Sequence, residues 1–258
     1  VIFGDLSYSQ WAVFVLVLVR CSALIITLPF FNSPNIPIMA KAGFVLSLAV
    51  LLSGVVPVDP ARFPTRTWDF ALLVGAEIII GAILGLSVNI LMTSVQIMGQ
   101  LVGFQMGFAV ANVLDPMSGT QISVLAQLSY LMAILVLFTV NGHHYFFKAL
   151  ADSFAILPVG KVAMTKGLFE QMMQLSSQMF NLAIRLGAPV IGALLFTQVC
   201  LGILAKTVPQ MNILMVGFPI TISVGLIFLS LSMLVMIPML AKLFSNLGPV
   251  LAGLIKAM

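Results

Sequence analysis

The chain has 258 residues, 61% of them hydrophobic and 7% charged, with 11 Lys and Arg against 7 Asp and Glu. Mean hydropathy is +1.20, and a soluble domain carries about 25% charged residues, so this composition cannot make a water-facing surface and points to a polytopic membrane protein. The formal charge of +4 is scattered singly; without a basic run or aromatic–basic interleaving, nucleic-acid binding has no support. At about 20 residues per span, the hydrophobic mass accommodates roughly six long segments. No positively charged stretch precedes the first apolar run, which argues against a cleaved signal peptide.

The first apolar run covers about residues 11–28, carries Arg20 in its middle and stops at Pro29. FNSPNIP (31–37) follows, and its two prolines forbid a continuous helix. A second run over 38–56 ends in the proline-rich loop VPVDPARFPTRT (56–67). The third begins near Trp68, an interfacial type of residue, and continues past Gln100, too long for one ordinary span. A fourth run, 121–140, ends at NGHHYF (141–146). FFKALADSFAILPVG (146–160) has apolar positions at helical spacing and predicts a short amphipathic piece. The fifth region, 166–206, starts polar, turns apolar and contains Pro189. The sixth follows AKTVPQMN (205–212) and carries Pro219 and Pro238.

Polar residues inside these runs are few and patterned. Glu77, Gly81, Gly85, Asn89 and Thr93 recur every four residues, which keeps them near one helix face. Gly81 and Gly85 on that face let another backbone approach closely, so it meets protein; Glu77 is then satisfied by a neighbour or acts as a proton-coupling acid. Arg20 and Arg185 also sit in apolar runs, where an unpaired charge costs about 3 kcal/mol or more. An ion pair between helices or subunits accounts for each better than a pore-lining role. Cys21 and Cys200 read as small core hydrophobes. His143 and His144, adjacent at a helix end, cannot both face one site, so no metal site is expected and they read as interfacial residues. There is no nucleophile–base constellation and no phosphate-cradling loop, so neither an enzyme nor a cofactor is expected.

GQLVGFQMGFAVANVLDP (99–116) is the least span-like stretch. Gly99, Gly103 and Gly107 recur at four-residue spacing, among Phe104, Gln105, Met106, Phe108 and Asn112, before Asp115–Pro116 ends the element. In one reading it seals a pore for unfolded polypeptide, with apolar bulk from Phe104, Met106 and Phe108 and backbone freedom from Gly103 and Gly107. In the other it is the tail of a glycine-faced helix. A small-solute transporter is the alternative at the level of the whole protein, since LGAPVIG (186–192) and GFPITISVG (217–225) are broken segments. Both, however, lie in the second half of the chain.

Several stretches together resemble the FliR family of the flagellar type III export apparatus. Arg20 with Pro29 and Pro37 is similar to its first hairpin, and Glu77, Gly81, Gly85, Gly99, Gln105, Gly107 and Asp115–Pro116 follow its central pattern. NGHHYFFKALADSFAILPVG (141–160) and AKTVPQMNILMVGFPITISVG (205–225) resemble its later segments, with Thr221 departing where many members have a basic residue. The resemblance implies an all-α fold of long, kinked helical hairpins, assembled as one copy in a helical hetero-oligomeric export gate at the flagellar basal body of the inner membrane. It implies FliP, FliQ and FlhB as partners, FlhA nearby, and unfolded flagellar proteins as substrates. Residues 1–140 would be similar to FliP and 141–258 to FliQ, with the plug at 104–116. The loop containing Lys206, Pro209, Gln210 and Asn212 would be cytoplasmic and the termini periplasmic. Counting charges gives the reverse: with six alternating spans, Arg62, Arg66, Lys148, Lys161, Lys166, Lys242 and Lys256 share the side of the N-terminus, against Lys41 and Lys206.

Overall fold

The computed structural model describes residues 8–31, 33, 36–54, 56, 67–108, 123–159, 165–208, 210 and 212–258. These residues fold into helices with no strand among them. In chain order the helices are α1 (Tyr8–Thr27), α2 (Ile38–Ser53), α3 (Thr67–Gln105), α4 (Val124–Thr139), α5 (Gly142–Ile156), α6 (Lys166–Thr207), α7 (Ile213–Ser245) and α8 (Leu247–Ala257).

Four helices are long and apolar enough to cross a membrane: α1, α3, α6 and the stretch from Met215 into α8. The broken pair α4–α5, bent by 69°, is a candidate fifth crossing. This is fewer than the roughly six expected at about 20 residues per span, and length is the reason. The second run yields the 16 residues of α2, about 24 Å of rise against about 30 Å of hydrocarbon. In compensation, α3 and α6 reach 39 and 42 residues. The break between α4 and α5 falls at Asn141, whose φ of 55° is left-handed; asparagine is among the few non-glycine residues that tolerate this conformation.

Helix ends follow local chemistry. Thr165 accepts the Leu168 amide at 3.2 Å and starts α6, and its hydroxyl donates to the Ala257 carbonyl. The Asn212 side-chain oxygen accepts the Met215 amide at 3.4 Å at the start of α7. Pro189 lies within α6, and Pro219 and Pro238 within α7; each removes an amide from the ladder and crowds the carbonyl four residues back, the usual origin of a kink.

The chain divides into two compact units. One comprises residues 1–90, 141–175 and 245–258, the other 91–140 and 176–244. Compactness therefore interleaves the chain, with α3 and α6 each contributing to both units. In the first unit, α5 is amphipathic as expected, burying Phe146, Ala149, Leu150, Ser153 and Phe154, while α8 buries Leu247, Leu251, Leu254 and Ile255. Outward-facing residues are largely apolar, among them Phe196, Met215 and Leu234, each more than 70% exposed. Lipid or another protein must cover them.

Candidate functional site

Embedded charge is neutralised in the first unit. Arg20 and Glu77 are both fully buried, and Arg20 Nε donates to Glu77 Oε2 at 2.5 Å. The guanidinium also donates through Nη1 to Ser153 Oγ at 3.1 Å, and through Nη1 and Nη2 to the Leu157 carbonyl at 3.3 and 3.2 Å. Its carbon lies 4.2 Å from the centroid of the Phe154 ring. One arginine thus ties α1, α3 and α5 together, using the planar fork that distinguishes guanidinium from ammonium.

The glycine face is the reason α1 and α3 approach closely enough. A methyl group added at Gly81 would sit 2.5 Å from the Arg20 carbonyl oxygen and 2.8 Å from Ala23 Cβ. One added at Gly85 would overlap Thr27 and sit 3.0 Å from the Leu24 carbonyl. The four-residue spacing identified this face from sequence, and the face meets protein as expected.

In the second unit the glycine series continues against α4. A methyl at Gly99 would lie 2.6 Å from Ala126 Cα, and one at Gly103 would overlap the Ser123 hydroxyl. The helix ends at Gln105. The Met106 amide still bonds the Val102 carbonyl at 3.0 Å, and the Gly107 amide then bonds Phe104 at 3.1 Å. Gly107 has a φ of +92°, the only positive-φ glycine among the described residues, in a region that side-chain-bearing residues rarely occupy.

This end docks on α7. A methyl at Gly107 would lie 2.6 Å from the Phe218 ring, and one at Gly225 would lie 2.5 Å from Met106 Cε. Thr221 Oγ1, buried between these positions, reaches the Met106 carbonyl at 3.3 Å and the Phe218 carbonyl at 3.1 Å. Gln198 Nε2 on α6 donates to the Gln105 carbonyl at 3.3 Å. A helix leaves its last carbonyls without intrahelical partners; here side chains from two other helices approach two of them.

The expected seal residues are therefore placed differently. Met106 is fully buried and Phe104 is 57% exposed, while Phe108 is half-buried. Of the two geometries the sequence left open, 99–105 is helical and the chain turns at 106–107. Asn112, Asp115 and Pro116 lie outside the described residues, as does Pro209. Lys206 and Gln210 are exposed, and Asn212 caps α7.

Arg185 is exposed on α6, with neither an ion pair nor a hydrogen bond among the described residues. The rings of His143 and His144, expected not to share one site, lie side by side. In the first turn of α5 their ring centroids are 4.3 Å apart, because the two rings lean toward each other at the helix start. Cys21 is buried and Cys200 half-buried. Sequence reasoning missed Gln198, Phe218 and Gly225 as partners of the α3 end. Thr221 was marked only as a departure; a buried hydroxyl inside an apolar helix was the available signal.

An apolar exterior around a neutralised interior charge marks an integral membrane protein. A family model described as "Bacterial export proteins, family 1" matches residues 11–247. The chain is 35% identical to the flagellar biosynthetic protein FliR of Bacillus subtilis (strain 168) over 235 residues, 90% of each chain. It is 33% identical to FliR of Pectobacterium carotovorum subsp. carotovorum over 239 residues, covering 92% of this chain and 90% of that one. With FliR of Escherichia coli (strain K12) it shares 30% over 238 residues, with the same coverage. The chain belongs to the FliR family of bacterial export proteins. It is an inner-membrane component of the flagellar export apparatus.

Proposed function

We propose that the chain is the gate subunit of the flagellar export apparatus. The segment following α3 would be its plug, closing the path of unfolded flagellar proteins across the inner membrane. The observation that carries this reading is the form of the α3 end. The helix stops at Gln105, ahead of a left-handed Gly107, with the Phe104 ring exposed and Met106 buried just before that glycine. A stopper needs such a junction, in which a fixed stem passes into a segment whose direction is set by one hinge residue. Phe104 and Phe108 supply bulk that excludes water, Gln105 and Asn112 act as anchoring groups, and Asp115–Pro116 closes the element. Met106 acts as the anchor of the stem.

In this reading FliP, FliQ and FlhB surround the single copy, with FlhA nearby. Residues 1–140 play the part of a FliP-like half and 141–258 that of a FliQ-like half. The Lys206–Asn212 loop is cytoplasmic. Outward apolar faces are then covered by subunits as well as by lipid, which relaxes the charge-count topology because that rule concerns independently inserted spans.

The test is deletion of residues 106–114 with the apparatus assembled, followed by ion conductance across the inner membrane. A plug predicts a large leak with assembly intact. A deletion as tight as the wild type, with normal assembly, defeats the assignment.

A further inference from the structure

We propose that Arg185 is the headgroup site for an anionic phospholipid, placed at the rim of the bilayer by a helix whose second half is one bilayer thick. Along α6, Gln174, Gln178, Asn181 and Arg185 are all exposed, and spacings of three and four residues place them on one stripe. The same stripe continues past Arg185 through Phe196, Val199 and Ile203, exposed by 72%, 61% and 59%. It is polar up to the arginine and apolar beyond it.

Length fixes what that switch means. Residues 186–205 carry no charged side chain, and the next cation is the exposed Lys206. Arg185 and Lys206 are therefore separated by about 32 Å of helical rise, matching the roughly 30 Å of a hydrocarbon core. Two exposed cations bracket one bilayer, which is where snorkelling side chains come to rest.

The position also has a shaped recess. Arg185 borders a cavity of about 320 Å³ lined by Gln178, Asn181, Leu182 and Leu243. A guanidinium presents parallel N–H donors that match two phosphate oxygens, and the two carboxamides add donors for further headgroup oxygens. The leucines offer apolar contact for the glycerol end of an acyl chain, which then follows Phe196 and Val199 down the helix. None of the described carboxylates is within ion-pair distance of Arg185: Asp69 lies in the first turn of α3 and Asp152 lines a recess with Lys148. Glu77 is engaged by Arg20, and Glu170 lies 3.9 Å from Lys166.

The experiment uses the full chain in its membrane assembly, equilibrated with equimolar phosphatidylglycerol and phosphatidylcholine in nanodiscs and released for native mass spectrometry. Wild type is expected to retain phosphatidylglycerol preferentially. Arg185→Gln should lower that preference about fivefold, the factor one basic group contributes at an anionic surface. Arg185→Lys should keep most of it, and Lys148→Gln, at an exposed cation of the other unit, should keep all of it. A second measurement needs no variant: phosphatidylglycerol with a photoreactive headgroup should label wild-type residues 178–185. Equal retention in Arg185→Gln and Lys148→Gln overturns the proposal. So does a label absent from 178–185 while Arg185 contacts a carboxylate of a neighbouring subunit. Either failure leaves the gate reading intact, because that reading rests on the end of α3.

Discussion

At Glu77, α3 is held to α1 by a buried ion pair and by two glycines whose absent side chains let backbone lie on backbone. At Gln105, farther along the same helix, it is held by Gln198 and Thr221, whose uncharged side chains approach two terminal carbonyls. The first attachment is strong to break, because separating the charges leaves one unpaired in a low-dielectric interior. The second is weak to break, since a neutral hydrogen bond contributes about 1 kcal/mol net. The proposed gate role calls for both: a base that assembly does not disturb, and an end that can be released without unfolding the rest.

The largest expected effect lies at the base. Arg20→Leu should destabilise the chain by about 3–5 kcal/mol, because Glu77 keeps its buried charge. Thermal or denaturant unfolding of the detergent-solubilised protein measures this. Arg20→Met combined with Glu77→Leu should recover most of the loss, because neither charge then remains buried. A double variant as damaged as the single one would mean that shape, and not charge, holds the base together.

A smaller effect is expected at the crossing. Gly81→Ala places a methyl against the Arg20 carbonyl, so α1 and α3 must separate or shift, at about 1–3 kcal/mol. Disulfide trapping across the α1–α3 contact should slow in proportion, and an unchanged trapping rate would show that the backbones are not in contact there.

The base was largely legible in the sequence and the end was not, and the reason is the range of the contacts. Glu77, Gly81 and Gly85 are read from one helix at a four-residue spacing, a local regularity that needs no fold. That Glu77 meets Arg20, and that Arg20 reaches Ser153 and Leu157, depends on helices brought together from 57 to 137 residues apart. The docking of Met106 on Gly225 and Thr221 is equally distant. Glycine at 225 and threonine at 221 carry no periodic signal of their own. Of the two glycines read as hinges, Gly107 sits at the turn and Gly103 does not, because it lies inside α3 against Ser123; the surface receiving the turn was not legible. The long runs starting near Trp68 and at Lys166 were legible as helices α3 and α6, whereas α2 stops at Ser53, short of the run read over 38–56.

The smallest expected effect is at the end of α3. Thr221→Val removes the hydroxyl from the Met106 carbonyl while keeping the side chain's shape, at about 1 kcal/mol. Global stability should barely change, while amide exchange at Met106 and Gly107 accelerates about fivefold. If unfolding shifts as much as in Gly81→Ala, the end is as integral to the fold as the base, and the contrast between them fails.

The span from Arg20 to Glu77 also has a consequence for biogenesis. Arg20 enters the membrane 57 residues before its acid, and at about 5–20 residues per second this is a delay of roughly 3–11 s. For that interval the Arg20 guanidinium lacks the carboxylate it meets in the fold, at a cost of about 3 kcal/mol in a lipid-embedded helix. The buried ion pair therefore ties the final packing of the first helix to the presence of the third.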